Sequence, residues 1–287
     1  MVVVSITEGL GNQMFQYALY RALLARRADV KAEATFFENY QATDGRPPRS
    51  YALGCFPAVK PVFATREELA ALEDNKRDIL SRVRRRLFGQ RGHIRAEQYP
   101  TRFERDVFEA DGVILRGFWQ NPQYFSGVES ALREDFALPP PDDEPNRALL
   151  AEIESREAAA LHIRRGDFLL HGEVFGGICT REYYERAADI VTARAGRGIS
   201  WYIFTDDPAW ARENVPSEAR VVDLNDGETA WRDMLLMSRC RHIITANSSF
   251  SWWAAWLGAH ESVVTPALGP RKRPIAAEER VPGWHYI

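Results

Sequence analysis

A chain of 287 residues with 45% apolar and 27% charged side chains has an ordinary globular composition and the length for two modest domains or one large one. Its net charge of −3 argues against a protein that binds nucleic acid by neutralising phosphates over a basic face. Cys55, Cys179 and Cys240 are too few and too scattered for a zinc site or a disulfide framework, which points to a reducing, cytoplasmic setting.

In chain order, residues 2–7 predict a short, β-branched, buried parallel strand that runs straight into Gly9 and Gly11. Asn12 then reads as the cap of a helix over 14–27, whose apolar residues recur at helical spacing. A second strand is expected over 30–37, and glycines and prolines make 41–65 mostly loop. Residues 67–88 read as helix, with Ile79, Leu80, Val83, Leu87 and Phe88 opposite Arg82, Arg84, Arg85 and Arg86. A strand over 113–119 and a helix over 124–136 follow. The run PPPDDEP at 139–145 reads as a stiff, solvated connector. It divides the chain into an N-terminal α/β domain (1–138), a linker (139–146) and a C-terminal α/β domain (147–287).

Beyond that link, strands at 158–163, 201–205, 220–224, 242–245 and 262–264 alternate with helices at 180–193, from 208, at 228–240 and at 250–257. Such alternation predicts a parallel sheet with helices on both faces. Two α/β halves predict a cleft, with ligands beyond the C-terminal ends of the strands.

Four polar clusters follow predicted strands. EGLGNQ at 8–13 can bring main-chain N–H groups to a phosphate at a helix N-terminus, or can be a tight turn only. It is neither the dinucleotide fingerprint nor a Walker loop. HIRRGD at 162–167 sets two arginines on opposite sides of a strand end, one free to fork onto phosphates and the other to pair with an acid such as Asp167. The alternative is a surface ion pair. FTDDP at 204–208 reads as a helix cap, with a role for Asp206 near a nucleotide as the second reading. Finally, Asp233 could accept two hydrogen bonds from guanine, or could be a solvated helix residue. Ser248 and Ser249 could touch phosphates, or could only cap a helix rich in tryptophan, where Trp252, Trp253 and Trp256 read as core. No DxD, HExxH or GxSxG motif is present, so arginine takes the electrostatic work that a metal does elsewhere.

Taken together and in this order, these stretches resemble the α1,2-fucosyltransferases, family eleven of the glycosyltransferases. GLGNQMFQYA at 9–18 is similar to the family's N-terminal motif, and GFWQNPQYF at 117–125 to its GYWQSxKYF segment. HIRRGDF at 162–168 resembles HxRRGDY, Cys179 with Tyr183 and Tyr184 resembles CxxxYY, and ANSSFSWWAAWL at 246–257 resembles a further family stretch.

The resemblance implies a GT-B-like fold with the acceptor side and glycine loop in 1–138 and the GDP-β-L-fucose donor bound by 147–287, a galactoside glycan acceptor, inversion to an α linkage, and no metal or other cofactor. By position it implies that Arg164 holds the diphosphate with His162 beside it, and that Gly9, Gly11, Asn12 and Gln13 close over the donor. Asp233 would read guanine, while Ser248, Ser249 and Phe250 would line the donor site. Asp167 is the candidate base, with His171 and Glu173 as fallbacks. Glu8 departs from the glycine of many relatives, and residues 264–270 depart from the usual APKKWF-like ending. The basic amphipathic stretch 75–95 reads either as a solvated helix face or as a peripheral attachment to an anionic membrane. Rival readings are an α1,6 or O-linked fucosyltransferase, a nucleotide-sugar oxidoreductase lacking its full glycine fingerprint, and a non-catalytic sugar-binding module.

Overall fold

A computed structural model describes residues 1–42, 48–74, 79–88, 93–99, 101–196 and 198–287, without the side chains of Ser81, Arg85, Phe88 and Asp167. The chain divides into two compact units, one formed by Met1–Tyr40 with Arg49–Ala137, the other by Leu138–Ile287 with the flanks of 41–48. No helix among the described residues is long and apolar enough to cross a membrane.

The first unit is built on a parallel sheet of β1 (Val2–Ser5), β2 (Val30–Glu33), β3 (Ile94–Ala96) and β4 (Val113–Arg116), in the order β2-β1-β4-β3. Val2, Val3 and Val4 are fully buried, as expected for a strand covered on both faces. Helix α1 (Leu10–Leu24) starts four residues earlier than its apolar spacing predicts, with Gly9 as N-cap, so Asn12 lies in its first turn and is not its cap. The chain also leaves the sheet early after β2. The Glu33 carboxylate accepts from Thr35 N (2.9 Å) and Thr35 Oγ1 (2.6 Å), and helix α2 (Thr35–Asn39) replaces the end of the predicted strand. Helices α3 (Arg66–Leu72), α4 (Ile79–Phe88) and α5 (Glu129–Asp135) complete the unit. The predicted helix over 67–88 is thus two helices, with residues 75–78 between them outside the described set.

In the second unit, β5 (Ala158–Ile163), β6 (Ser200–Thr205), β7 (Arg220–Val222), β8 (His242–Ile244), β9 (Ser262–Thr265) and β10 (His285–Tyr286) form a parallel sheet ordered β10-β9-β8-β5-β6-β7. The connecting helices are α6 (Glu144–Glu154), α7 (Gly166–Leu170), α8 (Gly172–Phe175), α9 (Arg181–Ala195), α10 (Pro208–Asn214), α11 (Trp231–Arg239) and α12 (Ser249–Leu257). Ala159, Leu161 and Ile163 of β5 pack with Tyr183, Ala187 and Val191 of α9. The alternate residue His162 faces the other way and reaches Ser251 of α12, as the two-residue period of a strand requires. Trp253 and Trp256 are buried in the core, as expected, and Trp253 contributes on the order of 3 kcal/mol by leaving water. Helix α6 lies partly inside the predicted linker. Asp143 caps it by accepting from Asn146 N at 3.0 Å, and Pro145 sits in its first turn, where no N–H is missed.

Candidate active site

The register of the second sheet sets β5, β6 and β8 side by side, with His162 opposite Phe204 and Leu161 opposite Ile244. The segments leaving their C-terminal ends are therefore neighbours. From β5 come Arg164 and Arg165, and from β6 come Asp206 and Asp207.

Arg164 Nε lies 3.1 Å from Asp206 Oδ2. Asp206 Oδ1 accepts from the main-chain N–H of Arg165 at 2.8 Å, so one carboxylate ties both arginines to the β6 turn. The Arg165 side chain bonds Asp207 at 3.1 Å and lies 3.9 Å over the Trp210 ring. Asp207 is thus an acid beside Arg165. Asp207 also caps α10, accepting from Trp210 N at 3.1 Å. The turn itself demands Gly166, since a Cβ there would stand 2.6 Å from Asp206 Oδ2. Asp167 is in the first turn of α7, and its side chain lies outside the described residues.

His162 is buried, with Nδ1 2.9 Å from Ser251 Oγ and its ring 6.0 Å from that of Phe250. Burial, reinforced by the charge of Arg164, pushes its pKa down to about 3. The imidazole is neutral at physiological pH, which suits a positioning group and not a proton acceptor.

From β8 comes the N-terminus of α12. Ser248 caps it through Phe250 N at 3.3 Å, and Ser249 is its first residue. Asn247 Nδ2 is buried and finds no partner among the described residues. First-turn N–H groups, two hydroxyls and a buried amide donor leave the end of β8, and the arginine pair leaves the end of the adjacent β5; these are group types suited to anions.

The Cys179, Tyr183 and Tyr184 set fastens these strand ends from behind. Tyr184 OH donates to the His162 carbonyl at 3.0 Å, Tyr183 OH to the Thr245 carbonyl at 2.7 Å, and Asn247 N to Cys179 Sγ at 3.2 Å. Burial holds the Cys179 thiol protonated, pushing it up to about 11. Two tyrosines and a cysteine on one helix start thus pin two strand ends, a role that motif spacing alone does not reveal.

Asp233 belongs to another polar group at the start of α11. Its Oδ1 accepts from Asn225 Nδ2 at 2.7 Å, and Asn225 in turn bonds Asn146. Burial pushes the Asp233 carboxyl up to about 7 against the pull of Asn225. Neither asparagine stands out in the sequence, because their pairing spans 79 positions.

In the first unit, the Gly9 cap and the first turn of α1, to Gln13, are braced from within. Gln13 is fully buried, its amide donating to the Glu8 and Ser50 carbonyls and accepting from Ala52 N, so it shapes the turn from inside. Gly11 is buried too, while Gly9 is partly exposed and faces the Arg49 guanidinium. Asn12 Oδ1 accepts from Gln120 at 2.7 Å, which joins the first turn of α1 to the 117–125 segment. Glu8 adopts φ 65°, a left-handed conformation that glycine enters freely, so the departure at this position carries local strain.

Residues 111–287 match the family described as Glycosyl transferase family 11. The chain is 31% identical over 277 residues to an alpha-1,2-colitosyltransferase of Escherichia coli, covering 94% of this chain and 92% of that protein. It is 26% identical over 171 residues to the human galactoside alpha-(1,2)-fucosyltransferase 1, covering 55% of this chain and 46% of the human protein. Among solved structures, the fucosyltransferase NodZ from Bradyrhizobium superposes with a TM-score of 0.50 at 17% identity, covering 94% of this chain and 95% of that one. That likeness concerns the fold, which is GT-B-like and built from parallel α/β units, as expected. An HxRRGD turn fixed by Asp206, followed by a serine-capped helix at the next strand end, falls within the matched region, and this chain belongs to glycosyl transferase family 11.

Proposed function

We propose that this glycosyltransferase moves L-fucose from GDP-β-L-fucose to a hydroxyl of a galactoside, forming an α1,2 linkage with inversion and without a metal ion. The observation that carries the reading is Arg164, held by Asp206 at the C-terminal end of β5, the strand whose His162 bonds Ser251 of α12. The acceptor oxygen bonds to the anomeric carbon as the bond from that carbon to the β-phosphate oxygen breaks. The electron pair leaves with GDP, and the acceptor proton passes to a carboxylate. Arg164, the α12 N–H groups, Ser248 and Ser249 offset the growing phosphate charge. His162 and Phe250 position those groups, and Asp206 aims the arginine. Asp167 is assigned as the base, with His171 and Glu173 nearby in the chain as fallbacks.

The experiment is transfer from GDP-fucose to lactose in the presence of EDTA, with linkage analysis of the product by NMR. An α1,2-linked product supports the reading; no transfer, or transfer only after a divalent ion is restored, overturns it. The colitosyltransferase relative motivates a second reading, in which colitose is the sugar transferred. Colitose is L-fucose without its 3-hydroxyl, so relative kcat/KM for the two GDP-sugars decides between them.

Asp233 is assigned to guanine, accepting from its N1–H and exocyclic amine in the ionised form. A carboxyl near 3.9 in the unfolded chain and about 7 here favours the protonated form in the fold. That stability is complete below the unfolded value and is lost as pH climbs through 7. GDP binding has the opposite slope, because it needs the charge. The Kd for GDP is expected to be about tenfold weaker at pH 6 than at pH 8, with the slope flattened in Asp233→Asn. An equal slope in the variant, read by calorimetry, would remove Asp233 from the guanine site.

We also assign α4 to an anionic membrane surface. Ile79 and Leu80 are 77% and 82% exposed, Val83 and Leu87 are exposed beside them, and Arg82 and Arg86 are exposed on the same short helix. Residues 75–78 and 89–92 of the basic stretch lie outside the described set. An apolar face left open and flanked by arginines fits shallow insertion among acidic headgroups better than a solvated face. The protein is expected to float with vesicles containing phosphatidylglycerol, and Leu80→Glu to remain in the soluble fraction. Sedimentation of wild-type protein away from those vesicles would reject the assignment.

A further inference from the structure

Glu157, His242 and Glu261 meet at the N-terminal edge of the second sheet, the edge opposite Arg164. Glu157 immediately precedes β5, His242 opens β8, and Glu261 immediately precedes β9. Parallel register brings them together, with Ala159 opposite His242 and His242 opposite Ser262, although Glu157 and His242 stand 85 positions apart. One imidazole nitrogen and one oxygen from each carboxylate all lie within 4.8 Å of one another. Among the described residues, no other three such side chains come this close.

The cluster is anchored inside and open outward. His242 is 1% exposed, Glu157 is half-buried and Glu261 is exposed. His242 Nε2 lies 2.8 Å from Glu157 Oε1, so that nitrogen faces the acids. Its other nitrogen, Nδ1, has no hydrogen-bond partner among the described residues, and neither has Ser262 Oγ. Ser262 is buried and opposite His242 in register, which puts both side chains on one face of the sheet. An imidazole that ligates a metal donates its second ring N–H to a neighbouring acceptor. Coordination at Nε2 places the proton on Nδ1, where Ser262 Oγ is that neighbour.

Charge points the same way. Arg241 Nη1 lies 3.3 Å from Glu157 Oε2 and 3.2 Å from Glu261 Oε1, so the two carboxylates already gather one cation between them. One guanidinium against two carboxylates leaves one negative charge over. A divalent ion in its place cancels both charges and takes the imidazole nitrogen as well. Arg241 is exposed, and a surface ion pair gives way to water at little cost. One imidazole with two carboxylates is a zinc donor set, three protein ligands leaving a fourth position for water. Magnesium and calcium favour oxygen ligands throughout.

We infer that Glu157, His242 and Glu261 form a zinc site that ties together the starts of β5, β8 and β9. The site lies one strand length, roughly 20 Å, from Arg164 and takes no part in transfer. It holds whichever sugar the enzyme moves.

Calorimetric titration of the whole protein with zinc chloride, after EDTA and dialysis, tests the site. Wild type is expected to bind a single zinc ion per chain. Glu261→Gln is expected to weaken binding at least about tenfold, and His242→Gln to abolish it. Arg241→Gln is expected to tighten binding about fivefold, because a competing unit charge is gone. Zinc at about a hundredfold excess over Kd is expected to raise the thermal midpoint of wild type by roughly 5 °C. Glu261 is exposed, so its variant reports even if His242→Gln misfolds. Absence of saturable one-to-one binding in wild type, or an unchanged Kd in folded Glu261→Gln, overturns the site. Weaker binding in Arg241→Gln overturns it too, since the guanidinium would then support the ion instead of competing with it.

Discussion

Arg164→Ala is expected to lower kcat for fucosyl transfer by about 10²–10³-fold while the protein still folds. The guanidinium is half-buried and anchored by Asp206, so its position is set before the donor arrives. As the glycosidic bond to the phosphate lengthens, negative charge accumulates on the β-phosphate oxygens. A fixed cation meets that charge without reorganisation, and so stabilises the transition state more than the ground state. Arg164→Lys retains charge but not the planar fork, and is expected to recover only part of the rate. Folding survives because Asp206 keeps its bond from Arg165 N. The check is kcat and KM beside a thermal melt; near-normal kcat in the alanine variant would refute the assignment.

Gly166→Ala is expected to produce a loss of similar order, at least about 10²-fold, through a residue that never touches substrate. The added methyl carbon would stand 2.6 Å from Asp206 Oδ2, well inside van der Waals contact. Either the carboxylate swings away and releases Arg164, or the turn shifts and moves both arginines. Asp206→Asn is the matched control, because it keeps the shape of the carboxylate and weakens only its charge. Its rate is expected to fall less than that of Gly166→Ala. If Gly166→Ala turns over normally, the carboxylate clamp is not what aims the arginine.

Much of this fold can be read from the chain itself. Buried parallel strands are continuous apolar runs, and β5 occupies the predicted residues 158–163. Ser248 caps a helix where the sequence places a cap, and Thr180, at the start of the helix expected over 180–193, does the same, each through its own hydroxyl. The misses have physical causes. Thr35, Phe36 and Phe37 have strand character, but the Glu33 carboxylate captures Thr35 and turns the chain into α2. Pro145 reads as a breaker until Asp143 is seen to cap the helix around it. β3 and β10 hold three and two residues, too few for any period to show.

At the site, the arginine pair and the serine-capped helix are visible in the motifs. Their partners are not. Asp206 meets Arg164 only because β5 and β6 are neighbours in register, and Asn146 meets Asn225 across 79 positions.

The claim on which the scheme turns is that a side-chain cation offsets the charge on departing GDP. A crystal structure with GDP bound, grown with magnesium and manganese present, tests it most directly. The expected result is the Arg164 guanidinium against the diphosphate, still bonded to Asp206, with no metal between them. A divalent ion coordinated by the phosphates in that place, or Arg164 turned into solvent, would contradict it.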